Sequence, residues 1–191
     1  KVSVMKNHIN GLGYEDGKII VTPHGFIAGK EASEEKASIE KYKKEYADYC
    51  WSLDNDHYVI FEHLGTDGEE QQWANYRLSE GKGIMMWGKM TSLFNQLSMG
   101  FSDNSDISRA DHKSRGFNDK RLVAYAESHD EERIIYKNLN FGNGSGSYSA
   151  RNPATGLKRN EMAAAIWALT PGPKLMWQFG ELGYDFSINT C

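Results

Sequence analysis

"LVAYAESHDEER", residues 122–133, turns within a few positions from apolar to densely charged. Leu122, Val123, Ala124, Tyr125 and Ala126 suit a buried strand. Glu127, Ser128, His129, Asp130, Glu131, Glu132 and Arg133 follow at once. A strand that ends this way needs a sheet with one end given over to polar side chains. Parallel β/α sheets have such an end, because functional residues collect at the C-terminal ends of their strands.

Working outward, apolar runs of strand length alternate with helical periodicity. Residues 34–53 carry Ile39, Tyr42, Tyr46, Tyr49 and Leu53 at helical spacing, with Ser33 as a cap and Glu34 and Glu35 at the positive end. "HYVIFEHLG" (57–65) reads as a short buried strand. A helix then opens at Asp67, paired with Glu70 as a capping box, and Gly81 or Gly83 ends it. "GIMMWGKM" (83–90) is strand-sized, residues 91–99 suit a short helix, and a polar stretch (101–120) leads into the quoted segment. Residues 131–139 read as helix and "GNGSGSYSARNPATG" (142–156) as a flexible loop. A helix from about Lys158 to Leu169 is stopped by "TPGP", and "KLMWQFG" (174–180) is the last strand.

Strands near 58–62, 84–88, 121–126 and 174–178, separated by helices, predict an α/β fold of about four parallel β/α units. Four units are half of a (β/α)8 TIM barrel, and they also suit a small open sheet. In either arrangement Glu62, the His129–Asp130 pair and Glu181 fall at strand ends. Residues 1–191 are expected to form a single domain, with 1–33 an atypical N-terminal segment.

The 191 residues carry a net charge of −4 and no basic block, which argues against binding to nucleic acid through phosphates. No apolar run approaches a membrane span. Hydrophobic residues make up 39%, below the usual share, but aromatics reach 12%, which favours a folded chain with long polar loops. Two cysteines, Cys50 and Cys191, define no disulfide framework.

The strand ends resemble the α-amylase family of retaining glycoside hydrolases. "YVIFEH" resembles the strand bearing that family's general acid/base glutamate, "YAESHDEER" its strand-end motif with adjacent His and Asp, and "PGPKLMWQFGELGYD" its last strand and following loop. "YCWSLDNDHYVIFEH" is similar to the family's approach to the acid/base strand, and the likeness covers roughly residues 34–188. The resemblance implies Glu62 as general acid/base, Asp130 as the carboxylate that binds sugar hydroxyls and stabilises the transition state, and His129 as a hydrogen-bonding partner of the same sugar. It assigns no role to Glu132 or Arg133. The family's nucleophile is an Asp in a pattern like G-F-R-F-D, which this chain lacks. The nearest counterpart, "DGKIIVTPHGF" (16–26), places Ile19 at the Arg position and Val21 at the nucleophile position. The first half of the barrel and the small β domain that usually follows it are also expected to be absent.

Structural readings of the same residues stand beside these. Glu62 also suits a salt-bridged strand end, and Asp130 an N-cap for the helix after it. Glu181 reads as a structural or rim residue, Trp87 and Trp177 as core, and Trp51 and Trp73 as helix packing. "DNSD" (103–106) reads as a loop, since it lacks an EF-hand's glycine and distal glutamate. His24, His57, His63 and His112 show no zinc spacing, so no metal site and no cofactor are expected.

The resemblance implies an α-amylase-type hydrolase acting on α-glucans such as starch or glycogen, with the isolated chain inactive for want of a nucleophile. The alternative is a catalytically inactive carbohydrate-binding or structural remnant. The substrate class favours an extracytoplasmic or secreted location. A half-barrel would expose apolar strand faces, so self-association is expected, or cover from residues 17–27 with their "KIIV".

Overall fold

A computed structural model describes residues 32–63 and 65–190. The chain divides into two compact units, residues 1–55 and 56–191. The expectations about Val21, Ile19, His24 and the covering segment 17–27 lie outside the described residues.

The first unit contributes helix α1, Ala32–Leu53, so that Ser33 lies inside the helix rather than capping it. The expected apolar face is not the buried one. Tyr46, Tyr49 and Leu53 are exposed, whereas Ala47 and Trp51 are buried. One position along a helix turns the face by about 100°. Tyrosine tolerates the exposed side because its hydroxyl can stay in contact with water.

The second unit is α/β. Strands β1 (Ile60–Phe61), β2 (Met85–Trp87) and β3 (Leu122–Val123) form a parallel sheet in sequential order. Ile60 pairs with Met85, Phe61 with Met86, Met86 with Leu122 and Trp87 with Val123. Beyond β3 a parallel bridge joins Ala124 to Lys174: Ala124 N donates to Pro173 O at 2.9 Å and Leu175 N to Ala124 O at 2.9 Å. The expected fourth strand therefore lies beside the third, but only as this bridge. The chain then turns away, with Gly180 N bonded to Trp177 O and Phe179 left-handed at φ 66°. β1 is also shorter and wetter than "HYVIFEHLG" suggested. Val59 is buried, but Tyr58 and Ile60 are exposed, and among the described residues β1 pairs with β2 alone.

Helix α2 (Asp67–Ala74) follows β1, α3 (Thr91–Met99) follows β2, and α4 (Ile134–Phe141) follows β3. The cap of α2 is Thr66, whose backbone N–H donates to Glu69 Oε2 at 3.1 Å, one residue before the expected Asp67–Glu70 pair. The helix ends at Ala74, and Gly81 instead closes the 3-10 turn Leu78–Glu80 in left-handed conformation, φ 74°. The segment 142–156 is more ordered than a loop. It folds as a hairpin, β4 (Gly144–Ser145) against β5 (Tyr148–Ser149), and then enters helix α5 (Pro153–Leu169). Asn152 caps α5 by accepting from Ala154 N at 3.0 Å, with proline at the first helical position.

Met90, Phe94, Ala110, Ala126, Ile134 and Ala163 form the core beneath the sheet's C-terminal end. Fully buried Asn138 ties three helices together, its Nδ2 donating to Ser98 Oγ of α3 at 2.8 Å and Gly156 O of α5 at 3.2 Å. Gly156 serves this close packing, since a Cβ there would lie 3.1 Å from Ala150 O. Among the described residues no helix is long and apolar enough to cross a membrane.

Candidate functional site

Parallel strands in sequential order bring their C-terminal ends to one edge. Glu62 directly follows β1, Gly88 and Lys89 follow β2, and the knot 127–133 follows β3. At this edge His129 Nε2 lies 3.7 Å from Glu62 Oε1 and 3.4 Å from Asp130 Oδ2. One ligand-capable atom from each of the three lies within 4.8 Å of the others, and all three side chains are exposed. The imidazole is close to two indoles, its centroid 6.2 Å from Trp87 and 6.0 Å from Trp177. Trp87 in turn leans on Tyr125 at 4.8 Å. Both tryptophans are only half-buried, and each presents its ring to His129 rather than only to the core.

The remaining polar residues of the knot face inward and fasten it. Buried Glu127 accepts Ile134 N–H at 2.8 Å through Oε2 and holds Arg133 NH1 at 3.5 Å through Oε1. Glu127, not Asp130, therefore caps α4. Burial pushes its carboxyl above the ordinary range, against the Ile134 hydrogen bond and the Arg133 charge. Arg133 also donates to Gln178 O at 2.9 Å and lies 4.7 Å over the Tyr184 ring, clamping the segment that carries Trp177. Glu132 Oε1 accepts from Ser187 Oγ and Asn189 Nδ2, each at 2.5 Å. Ser128 Oγ donates to Glu131 Oε2 and accepts Asp130 N–H at 3.4 Å, turning the chain so that His129 and Asp130 point to solvent. The strand ends in so many charges because most of them hold two others in place.

A second layer lies under Trp87. Gly88 sits against the neighbouring strand, where a Cβ would meet Val123 O at 2.5 Å. Lys89 is left-handed at φ 56°, unusual for a residue with a side chain. Its backbone N–H donates to Tyr125 Oη at 3.0 Å, and its Nζ donates to Gly65 O at 3.0 Å and Glu70 Oε1 at 2.5 Å. Fully buried Glu70 also pairs with Arg115, which donates to Gly88 O at 3.1 Å. Burial raises the Glu70 carboxyl, and Lys89 and Arg115 oppose that rise. Burial likewise pushes the Tyr125 phenol up, aided by Glu131 and Glu62, so it stays a neutral hydrogen-bonding group. No sequence pattern brings Glu70, Lys89 and Arg115 together, since they lie 19 to 45 residues apart along the chain, and the capping pattern that marked Glu70 gave it a different task.

Of the other residues considered, Glu181 is exposed in the 3-10 turn Gly180–Leu182, outside the cluster. His63 pairs with Glu69 at 3.3 Å and His112 with Asp111 at 2.9 Å, and Trp73 is buried. Loop 103–106 is a turn in which Asp106 Oδ1 accepts Ser108 N–H at 2.9 Å. Glu62, His129 and Asp130 form the one group with metal-ligand reach among the described residues. One imidazole and two carboxylates suit a borderline divalent ion, and equally suit a ligand rich in hydroxyls. Compared with family models and with curated proteins, the chain matches none.

Proposed function

We propose that the edge carrying Glu62, His129 and Asp130 is a saccharide site of the α-amylase type, and that the four parallel segments are half of a β/α barrel. The observation that carries this reading is the meeting of those three side chains, from two strand ends, with Trp87 and Trp177 both against His129. Two carboxyl groups and an imidazole supply acceptors and donors for sugar hydroxyls, and the indoles supply apolar faces for a pyranose ring. In glycoside cleavage Glu62 would deliver the proton to the leaving oxygen, while Asp130 would face the sugar ring as it becomes positive. His129, close to both carboxylates, would hydrogen-bond the same sugar.

A retaining mechanism also needs a nucleophile that forms the covalent glycosyl intermediate. The α-amylase resemblance gives that role to an aspartate on the strand before Glu62's, and Val21, the nearest sequence counterpart, has no nucleophilic atom. The proposed activity of the 191-residue chain is therefore binding of α-glucan without turnover, with cleavage reserved to a chain that contributes an aspartate to this edge.

Calorimetric titration with maltohexaose tests the binding reading. The wild-type chain is expected to bind, and His129→Ala to weaken binding about tenfold, the equivalent of one or two lost hydrogen bonds. Undiminished affinity in His129→Ala and Asp130→Asn would remove the site from this edge. Binding of Zn2+ or Mn2+ in place of sugar, lost in the same variants, would make the cluster a metal centre instead. Glucose release from starch by the 191-residue chain, abolished by Glu62→Gln, would overturn the assignment of binding without turnover.

A further inference from the structure

The second unit also contains an open cavity of about 340 Å3 that shares no residue with the Glu62–His129–Asp130 cluster. It lies where the end of α3, the following loop, the β4–β5 hairpin and α5 meet. Its volume is at the small end of the roughly 300–1,000 Å3 typical of small-molecule sites.

The walls are held in place by bonds within the protein. Arg159 Nε donates to Ser98 O, NH2 to Leu97 O at 2.7 Å and NH1 to Tyr148 Oη at 3.0 Å. Each nitrogen of this guanidinium thus has an acceptor: two brace the last turn of α3, and the third fixes the Tyr148 ring. The hairpin pairs Tyr148 with Ser145. Asn143 N donates to Met99 O at 2.8 Å and its Nδ2 to Gly100 O at 3.1 Å, which fastens the hairpin to the end of α3. A ligand entering here would not have to order its own site, which favours affinity.

The surfaces left facing the cavity define its ligand. Phe101 and Tyr148 both line it and remain 36% and 52% exposed, so their rings offer apolar faces to an occupant. Ser102, Ser105 and Ser145 add small polar groups. No acidic residue lines the cavity, and its one lining cation, Arg159, gives three of its five N–H groups to two carbonyls and a phenol. A cation would find no carboxylate here, and the second N–H groups of NH1 and NH2 can donate to a ligand hydroxyl. A neutral molecule with an apolar face and a rim of hydroxyls matches what remains. We propose that this cavity is a second saccharide site, holding one or two neutral hexose rings against Phe101 and Tyr148. It is independent of the site at the strand ends and goes beyond it.

Amide and indole NMR of the 191-residue chain, titrated separately with maltohexaose and with cellohexaose, tests the proposal. Saturable shifts at residues 100–105 and 143–148 are expected with at least one of the two. Phe101→Ala and Tyr148→Ala are expected to weaken the affinity read from those shifts about tenfold, a typical consequence of losing one aromatic platform. Tyr148→Phe keeps the ring and should retain most of the affinity, which separates loss of stacking from loss of the Arg159 brace. Absence of saturable shifts in both segments with both sugars overturns the proposal, as does binding there that neither alanine variant weakens. The wild-type shift map distinguishes the two sites on its own. Shifts confined to Glu62, Trp87, His129 and Trp177 sink the cavity and leave the strand-end site standing, and shifts confined to the cavity do the reverse.

Discussion

Glu70→Gln should be felt well beyond its own position. The carboxylate is fully buried between Lys89, at 2.5 Å, and Arg115, itself 1% exposed. Glutamine keeps the shape and removes the charge. Arg115 then retains Gly88 O at 3.1 Å and Asp67 Oδ1 at 3.3 Å, and Lys89 retains Gly65 O at 3.0 Å. Removing one partner of a buried ion pair costs about 3–5 kcal/mol, because the other charge is left uncompensated. The residual contact with Asp67 places this case near the lower end, about 3 kcal/mol. Lys89 adds to the effect. Its left-handed backbone costs roughly 1–2 kcal/mol and is maintained by the ties that Glu70 anchors. For a chain of this length the loss corresponds to a fall in Tm of about 6–12 °C. Urea unfolding followed by tryptophan fluorescence, on Glu70→Gln, Arg115→Met and the double variant, measures both the loss and the coupling. The double variant should be less destabilised than the sum of the singles by more than about 1 kcal/mol. A loss below about 1 kcal/mol in Glu70→Gln, or simple additivity, would refute a buried ion cluster under the site.

Gly88→Ala should cost about 1–3 kcal/mol in the same unfolding assay, since its Cβ would press on Val123 O at 2.5 Å and part β2 from β3; an unchanged urea midpoint would contradict this packing. Burial raises the Glu127 carboxyl above its ordinary value of 4.5, so the native state binds its proton more tightly than the unfolded state. Its contribution is complete below 4.5 and is lost as pH rises through the native value; Glu127→Gln should flatten that part of the pH–stability curve, and an identical slope in both proteins would count against it. The exposed apolar side chains Ile60, Met176, Leu182 and Phe186 should drive concentration-dependent association, read by light scattering; a monomer at every concentration with no binding of an apolar dye would show that they are tolerated in water.

The order of elements was legible because it is written in local periodicity. Apolar runs at 84–88 and 121–126 and helical spacing at 91–99 need no distant partner to be recognised, and β2, β3 and α3 lie where they point. The grouping of Glu62 with His129 and Asp130 followed from one topological rule about strand ends. What sequence could not show was which residue of a polar cluster does which task. Thr66–Glu69 and Asp67–Glu70 have the same capping spacing, and only backbone geometry selects Thr66. Glu127 caps α4 from seven residues away, outside the range of capping patterns, so Asp130 looked the better cap. Lys89, Glu70 and Arg115 meet across separations that carry no local signal. The wetness of Ile60 likewise depends on how many strands flank β1, which its own sequence does not record.

The sequential strand order also bears on how the chain is made. The paired positions are 25 residues apart between β1 and β2 (60 to 85), 36 between β2 and β3 (86 to 122) and 50 between β3 and the last bridge (124 to 174). Loop closure becomes only about 0.6 kcal/mol costlier with each doubling of length, so each segment can dock on its predecessor as it leaves the ribosome. Glu62, Trp87 and His129 precede Trp177 by 48 residues or more, and Arg133 clamps the segment that carries Trp177 only once Gln178 and Tyr184 have been synthesised. The side of the site that Trp177 supplies is therefore laid down after the rest, so a nascent chain passes through a stage that carries the two acids and the imidazole without the surface that completes them.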